Sequence, residues 1–325
     1  MGKYKIVYTD NVYKGNDIEY NRFGKVDYDF VIASAHDTET LKRECKDADA
    51  VMVSFAEMNA DIINEMEKCK LIVRCGMGFN NVDISAATAK GIMVANVQRY
   101  CLDEVSDHAI ALVLTLLRKT AYMSSLVRNG IWNPKIARPI PRLKGMILGL
   151  YGFGAISNYV ADKAKAFGFE VVAYDPYIPA KYFEEKGVKY IEREEDLFKC
   201  ADILSVHLPL MESTAGIISY DKMKMMKPTA IFINTARGGL VDEQGLIKAL
   251  QEGLIGGAGL DVMVDEYPNM DNPLFQMENV VVTPHIAYYS EGSDVDLRNY
   301  SCDQVIEALE DGAPEFFLNK KELNH

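Results

Sequence analysis

Three residues that could form an acid–base site follow predicted strands in the C-terminal half of the chain. Arg237 lies in INTARGG, Glu266 in LDVMVDEYP and His285 in VTPHIA. Because the carboxyl ends of parallel strands meet at one edge of a sheet, we expect these side chains to converge on one crevice. Each has an ordinary explanation when taken alone: the histidine can be structural, the arginine can cap a strand, and the glutamate can be solvated.

Together, the three side chains suit hydride reduction of a 2-keto acid. An arginine can bind the carboxylate through two parallel hydrogen bonds and polarise the carbonyl, and it stays charged at all relevant pH values. An imidazole titrates near neutral pH and can protonate the developing alkoxide. A carboxylate beside the imidazole would orient it and keep it protonated for the reductive direction.

A glycine-rich motif, LYGFGAIS at residues 150–157, offers a place for the hydride donor. Gly152 permits a tight turn, and Gly154 lets backbone amides approach a pyrophosphate at the N-terminus of the following helix. Asp175 ends the next predicted strand, about 20 residues further on, where an acidic residue binds the adenosine ribose. A carboxylate there would repel a 2′-phosphate, so the motif predicts NAD rather than NADP.

Ser157 stands where this fingerprint has its third glycine. That glycine serves packing between helix and strand rather than phosphate contact. We therefore expect slightly looser packing and intact nucleotide binding. A lone Gly-x-Gly is often an ordinary turn, but strand, glycines, helix, strand and acid occur here in order, which favours nucleotide binding.

Short apolar runs alternate with amphipathic stretches along the chain, which predicts an α/β protein with parallel sheets. A strong helix is expected from an N-cap at Asp103 to about Thr120, and another over 294–310. A loop containing Pro139 and Pro141 is expected to connect two domains. The predicted strands lie at 5–8, 30–33, 50–54 and 71–74, then at 146–150, 171–174, 203–206, 231–234, 257–260 and 280–282.

Composition narrows the functional classes. The chain has 325 residues, enough for two domains, and 49% of them are hydrophobic. With 35 basic and 47 acidic residues the net charge is −12, which disfavours nucleic acid and anionic membranes as partners. The six cysteines are scattered singly, so neither a metal site nor a disulfide framework is predicted. Neither a signal peptide nor a membrane span is predicted, so the cytoplasm is the expected location.

Several segments resemble the signatures of the D-isomer-specific 2-hydroxyacid dehydrogenase family. IFINTARGGLV, GLDVMVDEYP and TPHIA are similar to its main motifs, and NNVD, DHAI, AYDPY, SVHLP and MKP match in order. DH at 107–108 and PHIAYYS at 284–290 resemble most the C-terminal-binding-protein-like branch. The resemblance implies a central Rossmann NAD-binding domain, 102–287, inserted in a flavodoxin-like substrate domain, 1–101 and 288–325. Both would be doubly wound parallel-sheet domains, and the protein would be a homodimer.

The resemblance also assigns roles to individual residues. Arg237 would bind the carboxylate and carbonyl of a small 2-keto or 2-hydroxy acid, and His285, paired with Glu266, would be the acid/base. Backbone amides of Met77 and Gly78 would complete the carboxylate site. The residues assigned to the cofactor NAD are Gly152, Phe153, Gly154, Ala155, Ile156, Asp175, His207, Pro209, Thr214, Thr235, Ala236 and Asp261.

Besides Ser157, two positions depart from the family pattern. Tyr267 separates Glu266 from Pro268, where the family has Glu-Pro, and could shift the loop that follows. Asp107 replaces a glutamate before His108, with little change expected. We expect no further regulatory domain, because two domains account for this length.

Two other functions stay open at this stage. One is an NAD(H)-sensing, corepressor-like scaffold on the same fold, and the other is formate or phosphite oxidation. The full Arg–Glu–His set favours a 2-hydroxyacid dehydrogenase. Its substrate, phosphorylated or not, is left open.

Overall fold

The computed structural model describes residues 3–13, 15–24, 27–34 and 37–323. The chain forms two compact units, one made of Met1–Cys101 with Ser290–His325 and the other of Leu102–Tyr289. The chain therefore returns from the second unit to the first just beyond residue 287, the boundary expected from the sequence. Among the described residues, no single helix is long and apolar enough to span a membrane; only Leu102–Arg118 and Thr120–Arg128 together, bent by 60°, meet that test.

The first unit contains a parallel sheet of five strands. Its central strands are fully buried apolar runs such as AVMV at 50–53, as expected for strands covered on both faces. The strands are Tyr4–Tyr8 (β1), Tyr28–Ile32 (β2), Ala50–Val53 (β3), Leu71–Arg74 (β4) and Met93–Asn96 (β5), and the helices between them are Asp17–Phe23 (α1), Thr38–Cys45 (α2), Ala60–Glu65 (α3) and Ile84–Ala89 (α4). The strand order, β2-β1-β3-β4-β5, is that of flavodoxin-like domains.

The second unit begins with two helices and continues into a parallel sheet of seven strands. The helices are Leu102–Arg118 (α5), Thr120–Arg128 (α6), Ala155–Ala166 (α7), Ala180–Glu185 (α8), Glu194–Cys200 (α9), Tyr220–Met223 (α10) and Glu243–Gln251 (α11). The strands are Ile147–Tyr151 (β6), Glu170–Tyr174 (β7), Lys189–Tyr190 (β8), Ile203–Val206 (β9), Ile231–Asn234 (β10), Gly257–Leu260 (β11) and Val280–Val282 (β12).

The order of this second sheet is β12-β11-β10-β9-β6-β7-β8. The six strands β8-β7-β6-β9-β10-β11 follow the strand order of dinucleotide-binding domains, and β12 is added at the edge beside β11. The direction of winding reverses between β6 and β9, and ligands of open α/β sheets bind outside the carboxyl ends of the strands at such a point. The glycine motif follows β6, so the topology places it at this position.

The last helix, Glu291–Ile306 (α12), belongs to the first unit and continues as a π-helical turn over Glu307–Asp311. Ser290 and Ser293 form a reciprocal capping box at its start. Its Arg298 packs against α1, where it donates to both carboxylate oxygens of the buried Glu19, at 2.7 and 2.5 Å. This buried ion pair joins the two ends of the chain within one unit.

Several predictions about the elements were wrong. Asp103 is not an N-cap, because α5 begins at Leu102 and places Asp103 in its first turn. A negative charge in the first turn interacts favourably with the helix dipole. The helix ends at Arg118, close to the predicted Thr120, and α6 starts after Lys119, whose φ is +55°. The loop with Pro139 and Pro141 lies within the second unit and does not connect two domains. The second sheet has a seventh strand, β8, whose two residues carry no readable alternation. Missed in the first unit were β5, α1 and α4.

Candidate active site and nucleotide loop

The glycine motif forms a tight loop between β6 and α7. Gly152 has a φ of +89°, a left-handed conformation that side chains rarely adopt. A Cβ atom at this position would also lie only 2.6 Å from the carbonyl oxygen of His207, which follows β9. Backbone conformation and packing therefore both require a glycine at position 152.

Gly154 is a glycine for a different reason. Its φ of −79° suits any residue, and a Cβ atom there would meet no atom within 4 Å. It is also the N-cap of α7 and supplies no side-chain cap to the first amides, those of Ala155 and Ile156. A bare helix N-terminus beside an open glycine fits a pyrophosphate held by backbone amides.

Ser157 is accommodated without loss of packing. Its side chain is fully buried in the first turns of α7, and its hydroxyl donates to the carbonyl oxygen of Gly152 at 2.7 Å. The looser packing expected at this position is therefore not present. This hydrogen bond joins the first turn of α7 to the glycine loop.

Asp175 follows β7, and its carboxylate contacts the nucleotide loop directly. One oxygen accepts the backbone N–H of Phe153 at 2.9 Å, and the other accepts that of Tyr177 at 2.9 Å. Phe153 is fully buried and stacks on Phe183, with ring centroids 4.7 Å apart. The negative charge is thus held in a fixed place at the end of β7.

Two buried polar atoms lie at the carboxyl ends of the next strands. After β9, His207 Nε2 lies 2.9 Å from Ser205 Oγ, whereas its Nδ1 is buried without a partner among the described residues. Burial lowers the pKa of His207 to about 4, so its ring is neutral at physiological pH. After β10, Thr235 Oγ1 is likewise buried and unpaired within the described part of the chain. Such atoms are rare in folded proteins and fit a polar ligand at this edge.

Thr214 and Pro209, both assigned to the cofactor from the sequence, form a closed turn after β9. The Thr214 hydroxyl donates to the carbonyl oxygen of Pro209 at 2.7 Å and accepts the backbone N–H of Met211 at 2.8 Å. Thr214 therefore shapes the segment that follows His207.

Arg237 follows β10 in a loop organised by Asn234. The buried Asn234 side chain accepts the backbone N–H of Ala236 at 3.0 Å and donates to the carbonyl oxygen of Arg237 at 2.9 Å. Arg237 Nη1 donates to the carbonyl oxygen of Ala236 at 2.7 Å. A Cβ atom at Gly238 would overlap the carbonyl group of Met263, so the Arg237 loop passes directly against the segment leading to Glu266.

Glu266 and His285 meet, as their positions after β11 and β12 predict. His285 Nδ1 lies 2.7 Å from Glu266 Oε1, and both side chains are partly exposed. Tyr267 is 89% exposed, so the inserted residue projects into solvent and leaves this contact in place. His285 has a φ of +51°, which costs a residue with a side chain about 1–2 kcal/mol.

Asp261 holds the turn that carries His285. Its carbonyl oxygen accepts the backbone N–H of His285 at 2.8 Å. Its carboxylate accepts the backbone N–H groups of Ile286 at 3.0 Å and Ala287 at 2.9 Å, and the Thr283 hydroxyl at 2.6 Å. The side chain assigned to the cofactor from the sequence is therefore buried and bonded to the His285 turn.

In the first unit, Met77 and Gly78 follow β4. Asn96, at the end of β5, donates its side-chain N–H to the carbonyl oxygen of Met77 at 2.5 Å. Because the peptide is planar and trans, the N–H of Gly78 points away from Asn96. Asn96 was missed from the sequence because β5 itself was missed.

The second unit matches a family model almost from end to end. Residues 110–287 match the model described as "D-isomer specific 2-hydroxyacid dehydrogenase, NAD binding domain". The chain belongs to this family. Its second unit carries the NAD-binding domain, so the predicted family and cofactor are confirmed. The C-terminal-binding-protein-like branch stays a prediction.

Individual relatives cover this chain to different extents. Glycerate dehydrogenase of Methylorubrum extorquens is 35% identical over 284 residues, covering 85% of this chain and 87% of that protein. D-3-phosphoglycerate dehydrogenase of Methanocaldococcus jannaschii is 35% identical over 97% of this chain, but the match spans only 59% of that protein. A solved glyoxylate reductase from Paecilomyes thermophila superposes with a TM-score of 0.89 at 25% identity, covering 99% of this chain and 100% of that one. The predicted fold class is confirmed.

The two loop glycines give a matched test of the nucleotide site. Gly154→Val should weaken NADH binding by about tenfold or more, because its side chain would occupy the space proposed for the pyrophosphate. The Tm should change little, because a Cβ atom at this position meets no protein atom within 4 Å. Gly152→Ala should lower stability by about 1–3 kcal/mol, because of its left-handed backbone and the His207 contact. Fluorescence titration with NADH and thermal unfolding measure the two effects. Unchanged NADH binding in Gly154→Val would contradict this placement of the pyrophosphate.

Proposed function

We propose that this chain is an NAD-dependent D-2-hydroxyacid dehydrogenase acting on a small 2-keto or 2-hydroxy acid. The observation that carries the proposal is the 2.7 Å contact between His285 and Glu266, in the unit that also holds the nucleotide loop. Arg237 binds the substrate carboxylate and polarises its carbonyl, and His285 exchanges the proton at the substrate oxygen. The names of the related dehydrogenases and reductases support the same substrate class.

The hydrogen bond to Glu266 decides which nitrogen of His285 does the chemistry. A carboxylate only accepts hydrogen bonds. His285 Nδ1 therefore carries a hydrogen and donates a hydrogen bond to Glu266. The proton that reaches the substrate oxygen in reduction therefore leaves from Nε2. The neutral ring that remains keeps its bond to Glu266 and can take the proton back in oxidation. NADH, when bound, supplies the hydride.

Positive charge at the substrate has to be local. The chain carries a net charge of −12, which repels an anionic acid at a distance. Arg237 supplies a guanidinium with two parallel donors matched to a carboxylate. Within the first unit, Asn96 fixes the orientation of the Met77–Gly78 peptide, and the assignment of its amides to the substrate stays a prediction.

The role of Arg237 can be tested by keeping its charge and removing its planar fork. Arg237→Lys should lower kcat/KM for 2-keto acids by about 10²-fold while NADH affinity stays unchanged. The measurement is NADH oxidation with a panel of 2-keto acids, alongside a fluorescence titration with NADH. Full activity of this variant would remove Arg237 from the site.

Asp175 should set the choice between NADH and NADPH. Asp175→Asn keeps an acceptor for a loop amide and loses the charge that repels a 2′-phosphate. We expect the preference for NADH over NADPH, as the ratio of kcat/KM values, to shrink by about tenfold or more. Glu185→Gln, which removes an exposed carboxylate paired with Lys181, is the control and should keep the wild-type ratio. Equal use of both cofactors by the wild type would refute this role.

The pairing of Glu266 with His285 can be tested by removing the charge and keeping the shape. The Glu266→Gln side chain can still accept a hydrogen bond from His285 Nδ1 but offers no carboxylate to the ring, so kcat for reduction should fall by about tenfold or more while NADH affinity stays unchanged. Asp265→Asn, which removes the adjacent exposed charge, should keep the wild-type kcat. His285→Ala should lose about 10²–10⁴-fold in kcat with NADH binding intact.

An unchanged kcat in Glu266→Gln would reject the pairing. A wild-type protein that binds NADH and turns over none of a broad panel of 2-keto acids would overturn the enzyme proposal in favour of a nucleotide-sensing scaffold.

A further inference from the structure

Helix α5 contributes a histidine to the turn that carries His285. His108 Nε2 lies 2.8 Å from Thr283 Oγ1, and Thr283 Oγ1 lies 2.6 Å from Asp261 Oδ1. Asp261 is 1% exposed, and its Oδ1 also lies 3.5 Å from His108 Nε2. His108 thus ends a chain of polar contacts that reaches the His285 turn through two intermediates.

The direction of each hydrogen bond in this chain follows from its donors. Asp261 already accepts the amides of Ile286 and Ala287, as an ionised carboxylate does. The single hydroxyl hydrogen of Thr283 is therefore directed at Asp261 over the shorter distance. Thr283 has only lone pairs left for His108, so His108 Nε2 is the donor. Nε2 of His108 accordingly carries a hydrogen.

We propose that His108 is a positioning residue for His285. By donating to Thr283, it keeps the Thr283 hydroxyl on Asp261. Asp261 in turn holds the 283–287 turn in the left-handed conformation from which His285 meets Glu266. The inference rests on the proposed function for the proton transfer that it assigns to His285.

The neighbours of His108 and His285 allow this role to be isolated. His285 contacts Glu266 through its ring and Asp261 and Thr283 through its backbone N–H, and the ring of Tyr288 lies edge-on to it with the centroids 6.1 Å apart. Asp107, beside His108 on α5, pairs with Lys163 at 2.6 Å instead. A change at Asp107 therefore perturbs the same helix without touching the chain to His285.

The test compares three variants. His108→Leu removes the donor, His108→Gln keeps an N–H that can reach Thr283, and Asp107→Asn is the matched control. For reduction of the best 2-keto acid, we expect His108→Leu to lower kcat by about 10–100-fold, since small misplacements at a reacting centre are costly. Its KM for the keto acid and its NADH affinity should stay close to those of the wild type, because His108 contacts the turn that carries His285 and not the ligands. His108→Gln should recover most of kcat, and Asp107→Asn should behave as wild type.

A purely structural role for His108 predicts a different result. It would lower Tm and leave kcat of His108→Leu at the wild-type value at temperatures below unfolding, and that outcome would overturn the proposal. A double-mutant cycle sharpens the test, because in this proposal His108 acts through its hydrogen bond to Thr283. Thr283→Val with His108→Leu should be no slower than Thr283→Val alone, whereas additive losses would count against the chain.

Histidine ¹⁵N NMR gives a readout that does not depend on turnover. We expect the His108 ring to carry its hydrogen on Nε2, and the His285 signals to move in His108→Leu but not in Asp107→Asn. A hydrogen on Nδ1 of His108, or unmoved His285 signals, would overturn the inference. If the wild type turns over no 2-keto acid, the proposed function fails, and the NMR result alone then decides whether His108 positions His285.

Discussion

One buried negative charge organises the acid–base side of the second unit. Asp261 follows β11 and is almost entirely removed from solvent, a position that a carboxylate occupies only when its oxygens are hydrogen-bonded. Its donors come from the next strand's end: Thr283, Ile286 and Ala287. Because those donors flank His285, the hydrogen bonds that satisfy the Asp261 carboxylate also fix the position of the histidine. A turn that moved away would leave the carboxylate unpaired in the protein interior.

The nucleotide side of the same unit depends on backbone groups instead. Gly152 lets β6 turn under the carbonyl of His207, and Ser157 ties the following helix to that turn. Asp175 accepts the amide of Phe153, so the acidic residue and the glycine loop share one hydrogen bond. The neutral ring of His207 adds no charge there. The uncapped start of α7 offers backbone amides and the positive end of the helix dipole to an anionic group of the proposed cofactor.

Much of this arrangement could be predicted from the sequence. Most of what was missed depends on contacts between residues that are far apart in the chain. Apolar runs placed the buried strands, and parallel topology predicted that Glu266 and His285 would meet. The strand β8 has only two residues and shows no period. The missed strand β5 is a buried run of four residues, as long as β3, so its apolar pattern could have been recognised. The role of Asp261 in holding the turn, and the contact of His108 with Thr283, join residues from separate elements that no local pattern connects. Asn96 was missed for the same reason as the strand that carries it.

The glycine at 238 has a consequence for how the substrate preference of this chain could change. With no side chain there, the Arg237 loop lies against the backbone at Met263, three residues before Glu266. Two of the three proposed catalytic groups are therefore mounted on segments that cannot be remodelled separately. Insertions or bulkier residues in either segment would displace the other as well. Changes are better tolerated at positions beyond this contact, such as Tyr267, whose side chain is exposed to solvent.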